Sequence, residues 1–143
     1  MDERPYRVLI LDSDPDTLIT LQHFLQDAGV DVTITWDEAE ARQLVKSEVF
    51  ELVLLGDHPP ELDAALFLAA VSTHDASYPS LILVDDVLEK DIEQFRGLGA
   101  VNVVPKRDPF LVLEEVRKAL APRATLPRRH PLAWSKPLRR AAS

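Results

Sequence analysis

Short apolar runs alternate along this chain with longer stretches in which apolar residues return every three or four positions. Leu52-Val53-Leu54-Leu55 is apolar without alternation, which predicts a central strand covered on both faces. Arg7-Val8-Leu9-Ile10-Leu11, Leu81-Ile82-Leu83-Val84 and Val101 to Val104 predict three more strands. Val30 to Thr35 alternates and is β-branched, so it predicts an edge strand. Leu18, Leu21, Leu25 and Ala28 recur at helical spacing up to Gly29, a natural C-terminal stop. Asp14 or Asp16 can cap that helix. Asp37-Glu38-Ala39-Glu40 opens a second helix with acids where the helix dipole favours them, and Ala41, Leu44 and Val45 give its core face. Leu62 to about Ser72 predicts a third helix. Leu88, Ile92 and Phe95 mark a fourth, ending near Gly97-Leu98-Gly99. Phe110, Leu113, Val116 and Leu120 mark a fifth, which Pro109 can start.

Strands and helices therefore alternate five times over residues 1–120. The expected fold is α/β: a doubly wound, flavodoxin-like, five-stranded parallel sheet of order 2-1-3-4-5 with five helices. Ligands in such sheets bind at the carboxyl ends of the strands. That rule points to Gly56 and Asp57 at the carboxyl end of the third strand.

Residues 121–143 change character. Pro122, Pro127, Pro131 and Pro137 argue against a helix and for a flexible or extended linker. Leu132, Trp134 and Leu138 could dock on a partner, but the linker reading is preferred. Charge divides at the same place. Residues 1–120 hold 10 cations and all 24 acids, a balance of −14. The tail holds Arg123, Arg128, Arg129, Lys136, Arg139 and Arg140 and no acid, a balance of +6. An acidic body repels nucleic acid, so any such binding would come from the tail. That reading requires a salt-sensitive mobility shift that is lost when residues 121–143 are deleted.

The chain has no cysteine, which removes disulfides, thiol chemistry and Cys-based metal sites. No apolar run approaches the roughly 20 residues of a membrane helix. The charged start, Met1 to Arg7, does not read as a signal peptide, so a cytoplasmic location is expected. His23, His58 and His74 have no neighbours at metal-ligand spacing, and Ser13 has no base arranged to make it a nucleophile.

Several segments fall into one register: Val8-Leu9-Ile10-Leu11-Asp12-Ser13-Asp14-Pro15-Asp16, Glu51 to Leu55, Pro60 with Asp63, Pro79, Gly99-Ala100, and Lys106. Over residues 6–120 the chain resembles the receiver domain of bacterial two-component response regulators, the CheY-like superfamily. The resemblance implies two acids after strand one that hold Mg²⁺, and an Asp ending strand three that accepts a phosphoryl group. It also implies a Thr or Ser ending strand four, a Lys ending strand five, and a switch aromatic on strand five. Here Asp12 matches the first acid and Ser13 stands at the second, with Asp14 following. Gly56 stands at the acceptor position, Val84 at the hydroxyl position and Val103 at the aromatic position. Lys106 is kept, followed by Arg107 in place of the usual Pro.

Gly56 carries no nucleophile, and Ser13 is a poor substitute for an anionic Mg²⁺ ligand. Phosphoryl transfer rests on positioning and charge neutralisation, and parts of both are missing. The resemblance therefore implies a non-enzymatic pseudo-receiver that binds a protein partner without phosphorylation and without a cofactor. The partner would be a signalling protein, a fused output domain or a second copy. The family's output face lies on helix four, strand five and helix five. Here it would include Val87, Glu89, Lys90, Arg107, Asp108 and the exposed side of Phe110 to Lys118. Helix one is the family's usual kinase contact.

Two questions stay open at this level. Asp57 lies one residue past Gly56 and would point to the opposite face of a regular strand, although a loop or bulge could re-aim it. If re-aimed, it could be a displaced phosphoacceptor, with Asp12, Asp14 and Asp57 as metal candidates. Asp12, Asp14, Asp57 and Asp85 could surround one pocket, or Lys106 could neutralise Asp12 or Asp57 in place of metal. The second arrangement is preferred.

Overall fold

The computed structural model describes residues 5–72 and 78–125. The elements run β1 (Arg7–Leu11), α1 (Pro15–Asp27), β2 (Asp31–Thr35), α2 (Glu38–Ser47), β3 (Leu52–Gly56), α3 (Ala64–Val71), β4 (Ser80–Val84), α4 (Glu89–Gly97), β5 (Asn102–Pro105) and α5 (Pro109–Thr125). The sheet has the order β2-β1-β3-β4-β5. Every neighbouring pair is parallel, and β2 lies at an edge as its alternation predicts.

Alternation along each strand divides the core in two. Val8 and Ile10, Leu52 and Leu54, and Leu81 and Leu83 pack with Val104 against Leu18, Leu21 and Leu25 of α1 and Val112, Val116 and Leu120 of α5. Leu9 and Leu11, Val53 and Leu55, and Ile82 and Val84 pack with Val103 against Ala41 of α2, Phe67 and Leu68 of α3, and Phe95 of α4. Both faces of the central strands are thus covered, which explains their unbroken apolar runs. Burial of a side chain as large as Phe67 or Phe95 contributes about 1.5–3 kcal/mol.

Acids start four of the helices, Asp108 before α5 accepting from the Leu111 amide at 3.1 Å. The Asp14 side chain accepts from the Asp16 amide, Asp37 from Ala39 and Asp63 from Leu66. α3 begins at Ala64 and not at Leu62, because Leu62 pairs back with His58 through two backbone hydrogen bonds of 2.8 and 3.0 Å. β5 begins one residue later than expected, at Asn102.

The largest departure is at the end. α5 continues to Thr125, five residues into the segment read as linker, and Pro122 lies within it. A proline removes one amide donor from a helix, which weakens it without forbidding it. The rest of the tail, with Leu132, Trp134 and Leu138, lies outside the described residues, as does His74. No helix among the described residues is long and apolar enough to cross a membrane.

The Asp63 cap is half-buried, between Leu62 and Ala64 of the core. Asp63→Ala should cost about 1 kcal/mol in urea unfolding, and Asp63→Asn should recover most of it. Equal stability of the Ala variant and the parent would contradict the capping role.

Candidate functional site

Three residues end or follow the strands on the side of the sheet that faces α1 and α5. Asp12 continues the alternation of Val8 and Ile10, Gly56 that of Leu52 and Leu54, and Lys106 that of Val104. The same side chains meet in space. Lys106 Nζ lies 3.3 Å from Asp12 Oδ1 and 3.4 Å from Oδ2. The Asp12 side chain is fully buried and that of Lys106 is 5% exposed. Backbone bonds hold both ends: the Asp12 amide donates to Thr35 O at 3.3 Å, and the Lys106 amide to Val84 O at 2.9 Å. Asp12 Oδ1 also accepts from the Asp14 amide at 2.8 Å. Buried charges persist only when paired and hydrogen-bonded, and this pair is both.

Gly56 makes room for that pair. A Cβ at position 56 would fall 2.7 Å from Asp12 Cγ and 3.3 Å from Asp12 Cα, and would lie closer still to Oδ2. The carboxylate of Asp12 therefore occupies the volume in which a side chain on residue 56 would begin. Between the two partners that sequence reasoning left open for Lys106, the structure places Asp12 there.

The neighbouring acids are turned to other tasks. Asp14 caps α1, accepting from the Asp16 amide and from Thr17 Oγ1, each at 3.0 Å. The Thr17 hydroxyl first, and the Asp16 amide after it, hold the Asp14 carboxyl below the usual carboxylate range. Ser13 is exposed. Asp57 follows the opposite alternation, with Val53 and Leu55, towards α3. Its amide donates to Leu83 O at 3.0 Å, and its Oδ1 accepts from the Ala64 amide at 3.1 Å. Burial first, then the nearby charges of Asp63 and Asp91, push the Asp57 carboxyl up, with the Ala64 amide and His58 opposing. His58 is not the unpartnered loop residue that the sequence implies: its Nε2 lies 3.4 Å from Asp85 Oδ2 and links the loops after β3 and β4. Nothing in the spacing of residues 58 and 85 announces this contact.

The four acids Asp12, Asp14, Asp57 and Asp85 thus do not converge. Among the described residues no three His, Asp or Glu side chains gather to hold a metal ion. An octahedral Mg²⁺ with carboxylate ligands does not fit this donor set: Asp12 is bound to an ammonium, Asp14 to a helix start, and Ser13 is neutral. Val84 and Val103 are both buried in the apolar cluster under α2, α3 and α4. Neither offers a hydrogen bond or a ring to a signal at the sheet edge.

On the expected output face, Val87 is half-buried, and Glu89, Lys90, Arg107 and Asp108 are exposed. Phe110 is 72% exposed but belongs elsewhere. Its ring meets Phe24 of α1 edge-on, with centroids 4.9 Å apart, so it lies on the α1–α5 side and not towards α4.

This sheet order and helix arrangement are those of response regulator receiver domains. The chemotaxis response regulator CheY4 of Vibrio cholerae is 23% identical with a TM-score of 0.73, covering 81% of this chain and 99% of that one. HP1043, an orphan response regulator of H. pylori, is 16% identical with a TM-score of 0.71, covering 83% and 99%. A two-component response regulator from Clostridium difficile is 18% identical with a TM-score of 0.68, covering 80% and 95%. In sequence, the chain is 24% identical over 105 residues to transcription factor SKN7 of Candida albicans, which is 73% of this chain. The match spans 18% of that protein's length. No protein-family model matches the chain.

The environment of Asp57 makes a pH prediction. Its raised native value means that the folded chain holds more protons than the unfolded chain between the ordinary carboxylate range and that value. Stability is therefore lost as pH rises through this window. Asp57→Asn keeps an oxygen for the Ala64 amide and removes the charge. It should raise the thermal midpoint by a few degrees at pH 7, and the gain should fade below about pH 4. A variant no more stable than the parent at pH 7 would contradict this account.

Proposed function

We propose that the chain is a phosphorylation-independent pseudo-receiver: a non-enzymatic protein-interaction module of two-component-type signalling. The observation that carries this reading is Gly56 at the acceptor position with the Asp12 carboxylate lying over it, paired to Lys106. A receiver accepts a phosphoryl group only if a nucleophile stands where the donor can be aligned and its charge neutralised. Position 56 supplies no nucleophile, and the Lys106 ammonium is already matched by the Asp12 carboxylate.

The buried valines at positions 84 and 103 support the same reading from the output side. A phosphoryl group at the sheet edge would find no hydroxyl to draw in at residue 84 and no ring to move at residue 103. Without a switch, a partner protein would meet one surface at all times, through the α4-β5-α5 face or through α1. Regulation then falls to partner availability, expression level or a ligand.

The reading is tested by incubating the full chain with acetyl phosphate and Mg²⁺ and measuring the intact mass. The expected result is unmodified protein. A stable, Mg²⁺-dependent phosphoryl adduct would overturn the proposal, and its loss in Asp57→Asn would make Asp57 a displaced acceptor.

A further inference from the structure

We propose that the segment beyond α5, residues 126–143, crosses the amino edge of the sheet and lays Leu132, Trp134 and Leu138 along the outer face of α3. This goes beyond the pseudo-receiver reading and does not rest on it.

The need for a cover is visible in α3 itself. Ala64 to Val71 include no polar or charged residue. Ala64, Phe67 and Leu68 are buried, while Leu66, at 65% exposure, shares the opposite stripe with the exposed Ala69 and Ala70. A helix that is apolar all round is normally buried all round. The exposed sides of the other four helices carry charge, as at Asp16, Arg42, Glu93 and Glu114. Half-buried Leu44 and Val45 of α2, which packs beside α3, add apolar surface in the same layer.

Chain geometry selects the occupant. The side chain of Asn102, the first residue of β5, donates from Nδ2 to Glu115 Oε1 at 3.0 Å. That bond sets Glu115 level with the amino edge of the sheet, and α5 runs on from there to Thr125, about 15 Å farther at 1.5 Å per residue. α3 also ends towards the amino edge, since it returns from the carboxyl end of β3. α5 and α3 lie in opposite helix layers. Those layers are about 20 Å apart, each packing about 10 Å from the sheet. Residues 126–132, with Pro127 and Pro131 among them, span about 22 Å at polyproline spacing, which brings Leu132 to the α3 layer. Charge favours the same contact. Residues 126–143 hold Arg128, Arg129, Lys136, Arg139 and Arg140 and no acid, against the balance of −14 on residues 1–120. Attachment to α5 makes the docking intramolecular, so modest contacts suffice.

The test uses the full chain with Trp36→Phe, which removes an exposed tryptophan and leaves Trp134 as the reporter. Trp134 emission should be blue-shifted in the folded chain, and acrylamide should quench it severalfold less than in urea. Adding Leu66→Lys, a surface change that puts a cation on the apolar stripe, should abolish that protection while far-UV circular dichroism stays that of the parent. Trp134 quenched as readily in the folded chain as in urea overturns the inference, as does protection that survives Leu66→Lys. Protection that grows with protein concentration also overturns it, because the cover would then come from a second copy. A reciprocal reading needs no change in α3: Trp134→Ala in the full chain should shift the Leu66, Ala69 and Ala70 amides in NMR spectra, and their staying in place would contradict the docking.

Discussion

The buried ion pair between Asp12 and Lys106 is the constraint on which the site depends. Removing either partner would strand a charge away from water, at a cost of roughly 3–5 kcal/mol. The pair stands because the backbone fixes both ends and because residue 56 has no side chain. The Asp12 carboxylate lies where a side chain on residue 56 would begin.

Alternation within the strands assigns everything else at this edge. Asp12, Gly56 and Lys106 share the α1–α5 side, and Asp57 falls on the other, where it meets the start of α3. The many acids of the edge suggest a cation site when read as a list. In space, Asp14, Asp37 and Asp63 are helix caps, Asp85 faces His58, and Asp12 belongs to Lys106. Much of the edge's negative charge is therefore spent on starting helices, which is what loops between parallel strands and helices need.

The architecture was legible in the sequence because its signals are local and strong. Unbroken apolar runs marked strands buried on both faces, and three-to-four spacing marked the helix stripes. Gly56, Val84 and Val103 were legible as apolar or bare positions, and the structure buries all three. The rest depended on tertiary contact. Strand alternation separates Asp57 from Lys106, but the 3.3 Å approach of Lys106 to Asp12 joins residues 94 positions apart and is a tertiary fact. The start of α3 was misplaced because Leu62 bonds back to His58, a pairing invisible to periodicity. The reach of α5 to Thr125 was hidden by Pro122, and the turn of Phe110 towards Phe24 was hidden by helix packing.

Whether the edge is a closed ion pair or a receptive pocket is measured most directly by titrating the protein with Mg²⁺ and beryllofluoride, a phosphoryl mimic, and following backbone amides by NMR. A self-occupied site predicts that the Gly56, Asp57 and Lys106 amides stay in place at millimolar metal. Their concerted, saturable shift, abolished by Asp57→Ala, would contradict the account and show a conventional switch built on Asp57.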